Sequence, residues 1–104
     1  SVKLPLIENL ERYLDSLSQV VVSSDLIIVL EGHADKSKSK KHDNFEVAQK
    51  RADFLKNELV NRGVPEDRVQ SISRGDTMPR MEGNSAEARK SNRRVELFIK
   101  QNNR

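Results

Sequence analysis

At 104 residues, with 35% hydrophobic and 34% charged side chains, the chain has room for one domain with a modest core and a heavily charged surface. It has no cysteine, which excludes a disulfide framework, thiolate metal sites and a cysteine nucleophile. Its 19 Lys and Arg are mostly interspersed with 16 Asp and Glu, for a formal net charge of +3. That distribution argues against a nucleic-acid binder, which would gather basic residues on one face with aromatic partners for the bases.

The longest apolar run is five residues, Leu26 to Leu30, far short of the roughly 18–20 that a membrane-spanning helix needs. No membrane contact is therefore expected of this segment, and no signal-peptide pattern precedes its first helix. Tryptophan is absent and the aromatics are Tyr13, Phe45, Phe54 and Phe98, so packing must rest on aliphatics. Tyr13 and Phe54 are expected at the edge of the core.

In chain order, Leu6, Ile7, Leu10, Leu14 and Leu17 recur at three- and four-residue spacing, the stripe of an amphipathic helix. Pro5 suits its first turn, and Glu8 and Glu11 complement the positive end of its dipole. Val20-Val21-Val22 either ends this helix or forms a short extended piece before a turn at Ser23-Ser24-Asp25. The run Leu26 to Leu30 reads as a strand buried on both faces, turning polar at Glu31-Gly32-His33-Ala34-Asp35. A lysine-rich loop, Lys36 to His42, then leads to a second helix that starts near Asn44, with Asp43 or Asn44 as its cap. Val47, Ala48, Ala52, Leu55 and Leu59 line one side of it. Gly63 is placed to end it as the C′ residue, and Pro65 blocks continuation.

Val69 and Ile72 mark another strand over Arg68–Ser73, expected to lie parallel to the first across a right-handed crossover. Residues 75–91 read as loop, with one helical turn at Ser85–Lys90. From Arg93 to Lys100 the pattern alternates, Val95, Leu97 and Ile99 one way and Arg94, Glu96 and Phe98 the other, which is a strand with one apolar face. The tail Gln101–Arg104 is polar and expected to fray. The sum is an α+β domain covering residues 1–104, a two-layer arrangement of a mixed β-sheet against two main helices.

The strand-loop-helix corner carries the chemistry. Asp35 lies just past the C-terminal end of the strand, the edge where open α/β sheets bind ligands. Arg51 sits about two turns into the following helix, and helical side chains lean back toward the N-terminus. An anion, a cation and the free N–H groups of a helix start suit a zwitterion with an amino and a carboxyl group on one carbon. The same two residues also fit a plain surface ion pair, worth roughly 0–1 kcal/mol.

At these residues a resemblance appears. Gly32-His33-Ala34-Asp35 resembles the Gly-His-Thr-Asp signature of the OmpA-like peptidoglycan-binding domain. Asn44, Val47-Ala48, Arg51-Ala52, Leu55 and Leu59 are similar to that family's site helix, and Gly63-Val64, Arg68, Gly75 and Pro79 to the stretch that follows. Arg89-Lys90-Ser91-Asn92-Arg93-Arg94-Val95-Glu96 resembles its closing motif. The match runs in order from Leu26 to Ile99.

The resemblance implies a βαβαββ-type domain of the bacterial periplasm or cell envelope, its first strand cut short with Ser1–Lys3 as the remnant. It implies non-covalent binding of peptidoglycan through the diaminopimelate residue of the peptide stem, without a cofactor. Asp35 would accept the ammonium, Arg51 would bind the carboxylate, Asn44 would help line the pocket, and Asn92 and Arg94 would sit near the ligand or brace the site. His33 would orient the turn by a hydrogen bond. Such domains anchor larger assemblies, as flagellar stator anchors, secretion-system components, lipoproteins or tails of outer-membrane barrels, so the parent protein is expected to carry a membrane anchor. Stator-type members act as dimers, which leaves a homodimer open.

This chain departs from the pattern in places. Ala34 replaces threonine, Val47-Ala48 replaces Leu-Ser, Ala88 replaces glycine, and the interval from Asp35 to Arg51 is one residue longer. The altered loop motivates an alternative, an OmpA-like protein-interaction domain that has lost wall binding. A wall hydrolase has no nucleophile-base pair, metal triad or spaced carboxylate pair to support it, so the chain is not read as an enzyme. His33 and His42, with Asp35 and Asp43 adjacent, do not make three ligands on rigid elements, and no metal site is expected. Lys36, Lys38, Lys40 and Lys41 read as a solvated loop.

Overall fold

The structure is a computed structural model that describes residues 2–3, 7–34, 44–75 and 93–102. Strand β1 (Val2–Lys3) precedes helix α1 (Ile7–Val22), strand β2 (Leu26–His33), helix α2 (Asn44–Asn61), a 3-10 turn (Glu66–Arg68), strand β3 (Val69–Gly75) and strand β4 (Arg94–Gln101). The sheet order is β1-β4-β2-β3. β2 and β3 run parallel, while β4 lies antiparallel to both β2 and β1. This is the expected α+β arrangement, with the short β1 paired through Val2 and Lys3 to Leu97 and Glu96. The lysine loop, His42, Asp43, the turn proposed at Ser85–Lys90 and Arg89 lie outside the described residues.

α1 continues through Val22, which settles the triple-valine ambiguity in favour of helix. Val21 extends the apolar stripe by one more turn and is fully buried with Leu14 and Leu17. The helix stops where serines take over its last carbonyls. Ser23 Oγ donates to Gln19 O at 2.9 Å, Ser24 Oγ to Val20 O at 2.7 Å, and the Arg68 guanidinium to Val21 O at 2.6 Å. α2 ends on a Schellman motif, with Gly63 at φ 101° and Val64 N–H donating to Leu59 O at 3.2 Å.

Both helices cover one face of the sheet. Leu14, Leu17 and Val21 from α1 and Ala52, Leu55 and Leu59 from α2 form one cluster with Ile28, Leu30, Val69, Val95 and Leu97 from the strands. Tyr13 packs against that cluster as expected. Phe54 does not: it is 58% exposed, because it sits on the outer side of α2 while the small residues Ala48 and Ala52 face the sheet.

Candidate functional site

The corner begins with a close approach. A Cβ at Gly32 would overlap the Ala48 carbonyl oxygen, so only glycine lets α2 lie this tightly on the end of β2. With the helix seated there, the Arg51 side chain reaches back along it, and its Nη1 donates to the His33 carbonyl at 3.0 Å. A guanidinium is thus delivered to the C-terminal end of β2, two positions before Asp35.

Three further bonds tie the corner together. Ser73 Oγ donates to Phe45 O at 2.6 Å, fastening the end of β3 to the first turn of α2. Gly75 N–H donates to Ser73 Oγ at 3.2 Å, and Ala34 N–H donates to Gly75 O at 2.8 Å. Gly75 takes φ 56°, a left-handed conformation that suits glycine. Gly32 pairs with Ser73 but His33 with Gly75, which makes Arg74 the extra residue of a β-bulge. Such bulges re-aim side chains and loosen a strand locally.

His33 is placed differently from expectation. Its ring is 1% exposed, and among the described residues neither ring nitrogen has a hydrogen-bond partner. The turn is held by its backbone oxygen rather than by its imidazole. The physical reason is strand alternation: Ile28, Leu30 and Gly32 face the helices, so Val29, Glu31 and His33 face the opposite side. There the ring meets charge from three strands. Its Nε2 lies 3.7 Å from Glu31 Oε1 on β2 and 3.5 Å from Glu96 Oε2 on β4. Arg94 Nε donates to Glu96 Oε2 at 2.6 Å, and Arg74 Nη2 to Glu31 Oε2 at 3.1 Å. Burial holds the His33 pKa below its ordinary value, helped by the Arg94 charge and opposed by Glu96 and Glu31.

Of the residues singled out from sequence, the structure brings Arg51 to the His33 backbone and pairs Arg94 with His33 across β2 and β4. The Arg94 guanidinium is engaged with Glu96 on the sheet face opposite the helices. Asn44 opens α2. The Asn44 side chain, Asp35 and Asn92 lie outside the described residues. Among the described residues no group of three or more His, Cys, Asp or Glu is arranged to hold a metal ion.

Sequence reading missed Glu31, Glu96 and Arg74 as partners of His33. A signal was available: Glu31 and His33, like Arg94 and Glu96, are two apart on strands and so share a face. Arg68 was also underread. Its Nε donates to Leu26 O at 3.0 Å and its Nη2 to Val21 O and Ser24 O, stitching the end of α1 to the start of β2.

Comparison with known proteins gives a consistent result. The model of the OmpA family matches residues 4–93. The peptidoglycan-associated lipoprotein of Buchnera aphidicola subsp. Baizongia pistaciae (strain Bp) is 34% identical over 84 residues, covering 80% of this chain and 48% of that protein. The chain therefore spans about half the length of this curated relative. Among solved structures, the peptidoglycan-associated lipoprotein from Burkholderia pseudomallei superposes with a TM-score of 0.82 at 22% identity, covering 93% of this chain and 81% of that one. The periplasmic domain of Helicobacter pylori MotB superposes with a TM-score of 0.76 at 23% identity, covering 97% and 68%. At these identities the two structures speak to the fold.

Proposed function

The chain belongs to the OmpA family, and on that premise we propose that it binds the peptidoglycan of the bacterial cell envelope, in the periplasm, as a non-enzymatic anchor for a larger assembly. The observation that carries this reading is the Arg51 guanidinium held against the end of β2 by the His33 carbonyl at 3.0 Å. It supplies a fixed cation at the end of β2, two positions in sequence before Asp35. The curated relative is by name a peptidoglycan-associated lipoprotein, which supports the same direction.

The ligand is the diaminopimelate residue of the peptide stem. Its ammonium goes to Asp35 and its carboxylate to Arg51, which grips planar anions in a two-point fork. Asn44 and Asn92 line the pocket, and Arg94 braces it from the opposite sheet face. Contacts of this kind are charge-assisted, so added salt weakens them to the extent that they are exposed.

Co-sedimentation with purified sacculi tests the reading. The unaltered domain is expected in the pellet, and Arg51→Ala and Asp35→Ala are expected in the supernatant with unchanged circular dichroism and melting temperature. Binding that survives both substitutions would rule out the clamp. Release of soluble wall fragments would instead show an enzyme.

A further inference from the structure

The peptidoglycan reading above uses the helix side of the corner and gives the charge cluster on the other side of the sheet no task beyond the brace at Arg94. That cluster has an unusual composition. Two carboxylates, Glu31 and Glu96, converge on one buried imidazole, and each is also held by an arginine, Arg74 and Arg94 respectively. With His33 neutral, the two acids and two bases balance. Among the described residues the ring has no hydrogen-bond partner, although burying an unpaired polar group is costly.

The distances leave room for a tighter contact between the ring and its acids. Nε2 is 3.5 Å from one carboxylate oxygen and 3.7 Å from another. A charge-assisted N–H···O bond is shorter, about 2.8 Å. A protonated ring would have to move by roughly 0.7 Å toward Glu96 to make it. The bulge at Arg74 interrupts the pairing of β2 with β3 between Gly32 and His33, so the regular ladder is broken beside the His33 peptide. Among the described residues, the charged groups facing the ring are Glu31 on β2, Arg74 on β3, and Arg94 and Glu96 on β4; from α2, Arg51 is bonded to the carbonyl of the same residue.

We propose that His33 is a proton-sensitive positioning residue for Arg51. While the ring is neutral, the His33 carbonyl holds the guanidinium in its binding position. When the ring takes up a proton, it is drawn toward Glu96 and Glu31 and repelled by Arg94 and Arg74. The displaced backbone then carries the carbonyl away from Arg51, and wall binding weakens. The weakening is linked to protonation alone and reverses when the proton leaves.

This inference rests on the wall-binding reading for its consequence, but its mechanism can be measured without any ligand. In the free domain, the side-chain Nε–H resonance of Arg51 is followed by NMR from pH 7.5 to 5 beside the ring resonances of His33. The two are expected to titrate with one midpoint, and the Arg51 response is expected to vanish in His33→Gln. Glu96→Gln, the second variant, should shift that midpoint down by removing an anion. A His33 ring that titrates while Arg51 stays still overturns the proposal, whatever the wall does. With sacculi, binding by the unaltered domain is expected to fall as pH drops through the midpoint found for the His33 ring, and binding by His33→Gln to stay level over the same range. Parallel loss in both proteins would place the titrating group elsewhere and overturn the proposal as well. Absence of sacculus binding at every pH, with the coupled NMR titration intact, would support the coupling and count against the wall-binding reading alone.

Discussion

The two faces of the sheet are cut from the same strands and hold opposite kinds of interior. On the helix side, Ile28, Leu30, Val69, Val95 and Leu97 meet aliphatic residues of both helices, and α2 comes so close that the facing positions are Gly32, Ala48 and Ala52. On the other side, Val29 and Phe98 give way toward the corner to Glu31, His33, Arg74, Arg94 and Glu96. Apolar burial is non-directional and tolerates small shifts in geometry. A charge cluster tolerates them poorly, since every group removed from water needs its partner at bonding distance. The difference assigns stability mainly to one face and control of the corner mainly to the other, and substitutions on each should separate the two.

The largest effect is expected at the contact where helix and strand nearly touch. Gly32→Val drives side-chain atoms into the Ala48 carbonyl, a backbone group that cannot step aside without moving α2. Urea unfolding should show a loss of at least about 3 kcal/mol, if the variant folds at all. A loss under about 1 kcal/mol would mean that helix and strand are not locked together here.

Next comes Arg68, which serves the same layer by different means. One side chain satisfies carbonyls at the end of α1 and the start of β2. Arg68→Ala leaves those acceptors short and should cost about 3 kcal/mol. Arg68→Lys should recover little of it, since an ammonium lacks the planar fork that reaches several acceptors at once. Leu97→Ala, opening a void among the aliphatics, should fall in the same range of about 2–5 kcal/mol.

How far the chain could be read beforehand follows the same division. The helix stripes, the Gly63 stop, the parallel pairing of β2 with β3 and the alternation of β4 were legible, because each depends on period and local backbone chemistry. The Arg51 reach was legible too, since it needs only a helix start and the lean of helical side chains. The His33 environment was not. It depends on the register between β2 and β4, which brings Glu31, Arg94 and Glu96 together from residues more than 60 positions apart. Phe54 was misjudged because it falls outside the stripe of Ala48, Ala52, Leu55 and Leu59 that faces the sheet, which leaves its ring 58% exposed.

The charged face should answer to pH where the apolar face does not. Because the folded protein holds His33 below its ordinary pKa of 6.5, the unfolded chain takes up the proton first as pH falls. Stability should therefore be level above about pH 6.5, decline below it until the folded-state ring titrates, and then level off with respect to this group. Unfolding of His33→Gln by urea at pH 7.5 and 5.5 should show a smaller decline between the two than the unaltered chain shows. An equal decline would assign the pH dependence to other groups. Glu96→Gln should lower stability at neutral pH by about 1–2 kcal/mol by weakening the partner of a buried Arg94, a smaller loss than that expected for Gly32→Val.

The smallest effect is expected on the helix side, and it tests what the comparison of faces means. Ile99 stands two positions from Leu97 on β4 and points the same way. Yet Leu97 is 2% exposed and Ile99 48%, because the helices cover the middle of the sheet and leave the C-terminal end of β4 open. If membership of the apolar face were what mattered, Ile99→Ala would cost as much as Leu97→Ala. If the area withdrawn from water is what matters, it should cost under about 1 kcal/mol, since a side chain left half in water loses little when it is trimmed. Equal losses at the two positions would mean that something covers the end of β4 in solution, and the division between the faces would then have to be redrawn around that contact.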